Sequence, residues 1–224
     1  MTERGRHFRG TYDTALRELE ADVARLGRLC GDLIHRAVDA LVRQDPEQAR
    51  AVIAADDDAD RLHLEVERQV ARVIATQQPV ATDLRELLSI LVISLDLERM
   101  ADHAEAVARA VLRLGRGPLP ASVGDIVQME QVIQRMLSDA LQSFAGRDAV
   151  LAEAVSRQDD VVDALRSRVV GDLLTAMRED PGATPRAVDL ILVAQHLERA
   201  ADHITNVAER VVYIATGQLR ELNV

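Results

Sequence analysis

Apolar residues in the first part of the chain step by three and four, through Leu16, Leu19, Val23, Leu26, Cys30, Leu33, Ala37 and Leu41. That spacing lines one face of a long helix and forms the seam along which helices pack. Ile126, Met129, Ile133, Met136, Ala140 and Phe144 repeat it further on. No segment alternates apolar and polar residues with the period of two that a half-buried strand needs. The breaks come from Pro46, Pro79, Pro118, Pro120, Pro181 and Pro185, from Gly115 and Gly117, and from Gly146 with Asp148 behind it. Proline is tolerated in the first turn of a helix and breaks its interior, so the chain divides into six helical segments. They run about 8–44, 46–77, 80–114, 121–146, 148–180 and 185–217. Helices of ~30 residues would be ~45 Å long, and short loops set sequence neighbours antiparallel. The expected fold class is all-α, two tandem antiparallel three-helix bundles.

Composition narrows what such bundles are made of. With 2 Phe, 2 Tyr and no Trp in 224 residues, the core must be built from Leu, Val, Ile, Ala and Met, which suits helix-on-helix packing. A chain 48% hydrophobic and 29% charged is too apolar for disorder and too charged for a membrane span. The opening Met-Thr-Glu-Arg-Gly-Arg-His lacks an apolar leader core, so a cytoplasmic location is expected. With 27 basic and 37 acidic residues the net charge is −10, which repels a phosphate backbone and argues against nucleic acid. Cations or a basic partner patch fit better. Cys30 is the single cysteine, which excludes an internal disulfide and a thiolate metal cluster, and its place in the apolar seam marks it as core.

The most informative feature is an internal repeat. Residues 97–108 read LERMADHAEAVA and residues 197–208 read LERAADHITNVA, agreeing at 8 of 12 positions at an offset of 100. Upstream, residues 56–62 and 159–165 share the pattern Asp-Asp-x-x-Asp-x-Leu at an offset of 103. The three-residue difference falls between the second and third helices of each half, where loops absorb insertions. The chain is expected to be a tandem duplication of one three-helix unit, with domains 1–117 and 118–224.

The repeat carries four acidic pairs, each spaced by four: Asp56 and Asp60, Glu98 and Asp102, Asp159 and Asp163, Glu198 and Asp202. On a helix this spacing stacks both carboxylates on one face, at a cost of a few tenths of a kcal/mol per pair. If the second and third helices of one half present their pairs to each other, the cluster needs a cation or full solvation. Hard oxygen ligands of this kind suit Mg, Ca, Mn or Fe. The plainer reading pairs Arg99 with Asp102 and Arg199 with Asp202 as ordinary surface bridges three residues apart. His103 and His203 lie roughly 140° round the helix from their glutamates, which fits packing or partner-facing residues rather than ligands of the same ion. A di-iron carboxylate enzyme would need Glu-x-x-His twice. Here Asp60 and His63 give one Asp-x-x-His, and the second half has Arg166 at the matching place.

Three motifs occur in order along the chain. They are Asp-Asp-x-x-Asp in the second helix of each half, Gln-Gln-Pro-Val-Ala-Thr-Asp-Leu-Arg at residues 77–85, and Leu-Glu-Arg-x-x-Asp-His in both third helices. Together with Ile-Ala-Thr-Gly at 214–217, they make a sequence that resembles the PhoU family of phosphate-uptake regulators over almost its whole length. The resemblance implies two bundles related by a pseudo-two-fold axis. It implies metal ions (Fe, Mn, Zn or Mg) on Asp56, Asp60, Glu98 and Asp102 and on Asp159, Asp163, Glu198 and Asp202, with no catalytic residue and no organic cofactor. It further implies a negative regulator of phosphate uptake and of the phosphate-starvation response. The implied partners are the ATPase subunit of the phosphate ABC transporter and the phosphate-sensing histidine kinase, with the membrane reached only through them; a homodimer is expected. Two departures stand out. Asn206 of the second half corresponds to Ala106 in the first, and Asp83-Leu84-Arg85 has no counterpart near Ala183, Thr184 and Pro185. Two other readings remain open at this point, a carboxylate-bound metal enzyme and a metal-independent helical scaffold docking basic partners.

Overall fold

A computed structural model describes the backbone of residues 3–222 and the side chains of residues 10–222. Six α-helices follow one another: α1 Glu3–Arg43, α2 Pro46–Gln77, α3 Thr82–Leu114, α4 Val123–Gly146, α5 Ala149–Glu179 and α6 Thr184–Thr216. A single 3-10 turn at Pro181–Ala183 precedes α6, and no strand occurs among the described residues. Every predicted segment is present. The largest difference is the start of α1 at Glu3 rather than near residue 8; the added stretch holds no proline, and its Glu and Arg outweigh Gly5.

The loops repeat along with the helices. Asp45 accepts hydrogen bonds from the backbone N–H of Glu47 and Gln48, and Asp148 from those of Val150 and Leu151, so one N-cap serves α2 and α5 alike. The residue just before each cap is left-handed and not glycine, Gln44 at φ 52° and Arg147 at φ 50°. Such a conformation costs roughly 1–2 kcal/mol. Both side chains reach across to the rest of the molecule. Gln44 bonds the carbonyl of Gly117 and accepts from its N–H at 2.8 Å. Arg147 donates to buried Glu86 at 2.8 Å and to Glu20 at 2.7 Å.

Helices α1, α2 and α3 pack mutually, as do α4, α5 and α6, giving two three-helix bundles in tandem. The bundles join by like on like, α1 against α4 and α3 against α6, the arrangement a pseudo-two-fold axis produces. The α3–α6 interface is the largest in the molecule, and the helices there run antiparallel: Arg113 pairs with Asp189 at 2.8 Å at one end and Asp96 with His203 at 3.0 Å nearer the middle. At α1–α4 the approach depends on Gly27, where an added Cβ would lie 2.8 Å from both methyls of Leu141. The predicted seams form the core. In α1 every seam residue is buried except half-buried Leu16, and all six of the α4 seam are buried. Cys30 is within that core, its thiol donating to the Leu97 carbonyl at 3.0 Å, and burial pushes its pKa up.

Candidate metal centre

The register of α2 on α3 is marked by His63, whose Nδ1 lies 3.0 Å from Ser94 Oγ. Since the helices are antiparallel, moving back along α2 to Asp60 and Asp56 moves forward along α3 to Glu98 and Asp102. Ligand oxygens of Asp56, Asp60 and Asp102 all lie within 4.8 Å of one another. Glu98 joins them half-buried, with Arg99 Nε 3.5 Å from its Oε2. Two oxygens in this group, Asp56 Oδ1 and Glu98 Oε2, are buried and accept no hydrogen bond. Such atoms forfeit solvation without a hydrogen bond in return, a cost of about 1–3 kcal/mol each that the Arg99 contact offsets only at Glu98.

The electrostatics record that cost. Burial, reinforced by Asp102, Glu105, Asp60 and Glu98, pushes the Asp56 carboxyl up to about 7. Glu98 is also raised, by burial first and then by Asp102, against an opposing pull from Arg99. The plain salt-bridge reading is met in part: Arg99 bonds Asp102 at 3.0 Å, on the exposed edge of the group. It does not satisfy Asp56. Opposite oxygens around a six-coordinate Mg ion are about 4.2 Å apart at a bond length of about 2.1 Å, so one hard cation fits this spread. The donor set and the spacing fit the implied metal.

The second set is built differently. Asp159 on α5 is 3% exposed, and Asp163 follows one turn on. On α6, Glu198 accepts from Gln195 Nε2 at 2.6 Å, and Gln195 Oε1 in turn accepts from Arg166 Nε at 3.1 Å. Arg166 stands where the first half has His63, so this half carries its own cation at the carboxylates. Glu198 is raised by burial with Arg166 opposing, and Asp202 by burial and then Glu198. Among the described residues this set offers no three ligand atoms within 4.8 Å of one another. The expected bridge from Arg199 to Asp202 is replaced by a loose contact of Arg199 Nε with Glu198 at 3.9 Å.

Between the two sets, where α3 crosses α6, lies a polar group that spacing alone did not single out. His103 and His196 are hydrogen-bonded with Nδ1 atoms 3.3 Å apart, and the ring centre of His203 lies 5.5 Å from that of His103, the planes tilted by 30°. Buried Asp96 accepts from His203 at 3.0 Å and from Asn206 at 3.1 Å. Burial, then His203 and His196, push His103 down to about 4, and burial lowers His196. Asn206 therefore reaches into the first half. The available signal was the duplicated Asp-His itself: if equivalent helices of a tandem repeat pair with each other, a motif at their crossing meets its own copy.

No helix among the described residues is long and apolar enough to cross a membrane. The PhoU domain family model matches the chain twice, over residues 23–111 and 126–211. The phosphate-specific transport system accessory protein PhoU homolog of Clostridium acetobutylicum is 35% identical over 96% of this chain and 99% of its own. The protein of the same name from Aquifex aeolicus is 40% identical over 91% and 92%. Among solved structures, the phosphate transport system regulatory protein PhoU of Streptococcus pneumoniae superimposes with a TM-score of 0.88 at 32% identity, covering 93% of this chain and 99% of that one. With a helical fold, a duplicated domain and near-full-length relatives in agreement, this chain belongs to the PhoU family.

Proposed function

We propose that the protein is an accessory regulator of a phosphate-specific transport system, restraining phosphate uptake and the phosphate-starvation response. It acts in the cytoplasm as an adaptor between the ATPase subunit of the phosphate ABC transporter and the sensor histidine kinase, reaching the membrane only through them. The observation that carries this reading is the double match of one domain family along a chain whose near-full-length relatives bear the name of that transport system. The role is one of binding rather than turnover, and no catalytic residue is assigned. Deleting the gene is expected to leave phosphate-starvation genes switched on in phosphate-rich medium; normal repression in the deletion strain contradicts the reading.

On the same reading, repeats 1–117 and 118–224 each contribute one acidic set, and the first is a cation site. Asp56, Asp60, Glu98 and Asp102 would hold Fe, Mn or Mg, or Zn less suitably, through oxygen alone. Support comes from the buried oxygens of Asp56 and Glu98 that accept no hydrogen bond and from three converging ligand atoms. Asp159, Asp163, Glu198 and Asp202 form the weaker counterpart, because Arg166 occupies the position from which a cation would be repelled. Equilibrium dialysis of metal-free protein against Mn2+, followed by metal analysis, tests this: bound Mn2+ supports it, and none at millimolar Mn2+ returns the carboxylates to solvated helix faces.

A further inference from the structure

The histidines at the α3–α6 crossing make a second and chemically different place for a metal. We propose that His103 and His196 form a two-imidazole chelate for a borderline transition-metal ion such as Zn2+, clamping the first bundle to the second. Their Nδ1 atoms lie 3.3 Å apart. Two Zn–N bonds of about 2.05 Å meeting at the tetrahedral angle separate their nitrogens by about 3.3 Å. In the metal-free protein the same contact is a hydrogen bond from one ring to the other, so the two nitrogens already face each other. The ring centres are 5.4 Å apart and the planes tilted by 40°, a separation that two imidazoles on one ion can adopt.

The supports of the pair are rigid. Each imidazole projects from the middle of a long helix, flanked by buried Ala101 and Ala104 on α3 and buried Val193 and Leu197 on α6. Both side chains are half-buried, so water reaches them and fills the remaining coordination positions. Beside them, His203 is held by Asp96 through Nδ1 at 3.0 Å, and it completes the polar surround without being one of the two ligands. Nitrogen donors select Zn2+, Ni2+ or Cu2+ over the hard ions that the oxygen-only acidic set prefers, so the two sites take different metals. The chelate links helices from different repeats, and its occupancy therefore acts on how the bundles hold together.

Nitrogen-15 NMR of the histidine side chains in the full-length protein, titrated with Zn2+ alone, tests the proposal residue by residue. The expected result is that the Nδ1 resonances of His103 and His196 shift together, saturating at the same Zn2+ equivalent. His103→Gln is expected to abolish the His196 shift while leaving Mn2+ uptake by the acidic set unchanged. Unmoved Nδ1 resonances in the wild-type protein, or a shift of one without the other, overturn the chelate. The wild-type titration decides the matter even where the variant fails to fold.

Discussion

The two acidic sets descend from one duplicated motif with one spacing, yet they differ in how their carboxylates converge and in the cation beside them. In the first half the carboxylates converge with no internal base at their centre, and Asp56 is pushed up to about 7. In the second, Arg166 reaches the carboxylates through Gln195 and Glu198, and Asp159 is buried deeper than any other acidic residue of either set. One position makes the difference, His63 in one half and Arg166 in the other. A motif read along one helix fixes which side chains share a face. What that face meets from the neighbouring helix, here Arg166 bonded to Gln195, is set by the fold.

The largest effect expected from this contrast is on metal uptake. Replacing Asp56 and Asp102 together by Asn removes two of three converging ligands, and Mn2+ affinity measured by calorimetry is expected to fall by more than the roughly tenfold to hundredfold that losing an outer-shell partner costs. Asp159→Asn with Asp202→Asn is expected to change the total far less. Equal losses from the two double variants would erase the distinction between the halves.

Next comes an attempt to turn the second half into the first. Arg166→Met removes the resident cation and with it a Coulomb repulsion toward an incoming divalent ion. The second set is expected to gain about tenfold in Mn2+ affinity. No gain by calorimetry would mean that Arg166 is not what weakens it.

Stability of the metal-free protein gives a third test. Asp56 holds its proton to about 7 when folded, against 3.8 as the ordinary value. Between those limits the folded state binds the extra proton, so the stability contributed at this site falls as pH rises from about 4 to 7 and stays low above. Asp56→Asn is expected to stabilise metal-free protein at pH 8 by about 1–2 kcal/mol, after discounting for solvent screening at a half-exposed site, and to do nothing near pH 3.5. Chemical denaturation at the two pH values reads the difference; a variant less stable at pH 8 contradicts it. The smallest effect belongs to the exposed bridges. Arg99→Ala is expected to cost about 0.5 kcal/mol and Arg199→Ala less, by thermal melting.

The helices were legible in the sequence because proline and the three-four seam are local signals. The end of α2 at Gln77 and the start of α5 behind Asp148 needed only nearest neighbours. The duplication was legible for the same reason, since eight matching residues in twelve lie in one stretch. The inequality of the acidic sets was visible only as Arg166 in place of His63, and what Arg166 does depends on Gln195, which lies 29 residues away and one helix over. Asp96 and His196 occupy matched positions in the repeat yet are different residues, so comparing the halves passed over them. Their role comes from α3 crossing α6, a contact that no periodicity within one helix encodes.

The most direct test of the inequality is anomalous diffraction from crystals grown in Mn2+, collected above the manganese edge. The account predicts a strong peak among Asp56, Asp60, Glu98 and Asp102 and a weaker one or none among Asp159, Asp163, Glu198 and Asp202. Equal peaks in the two halves, or density only in the second, would contradict it.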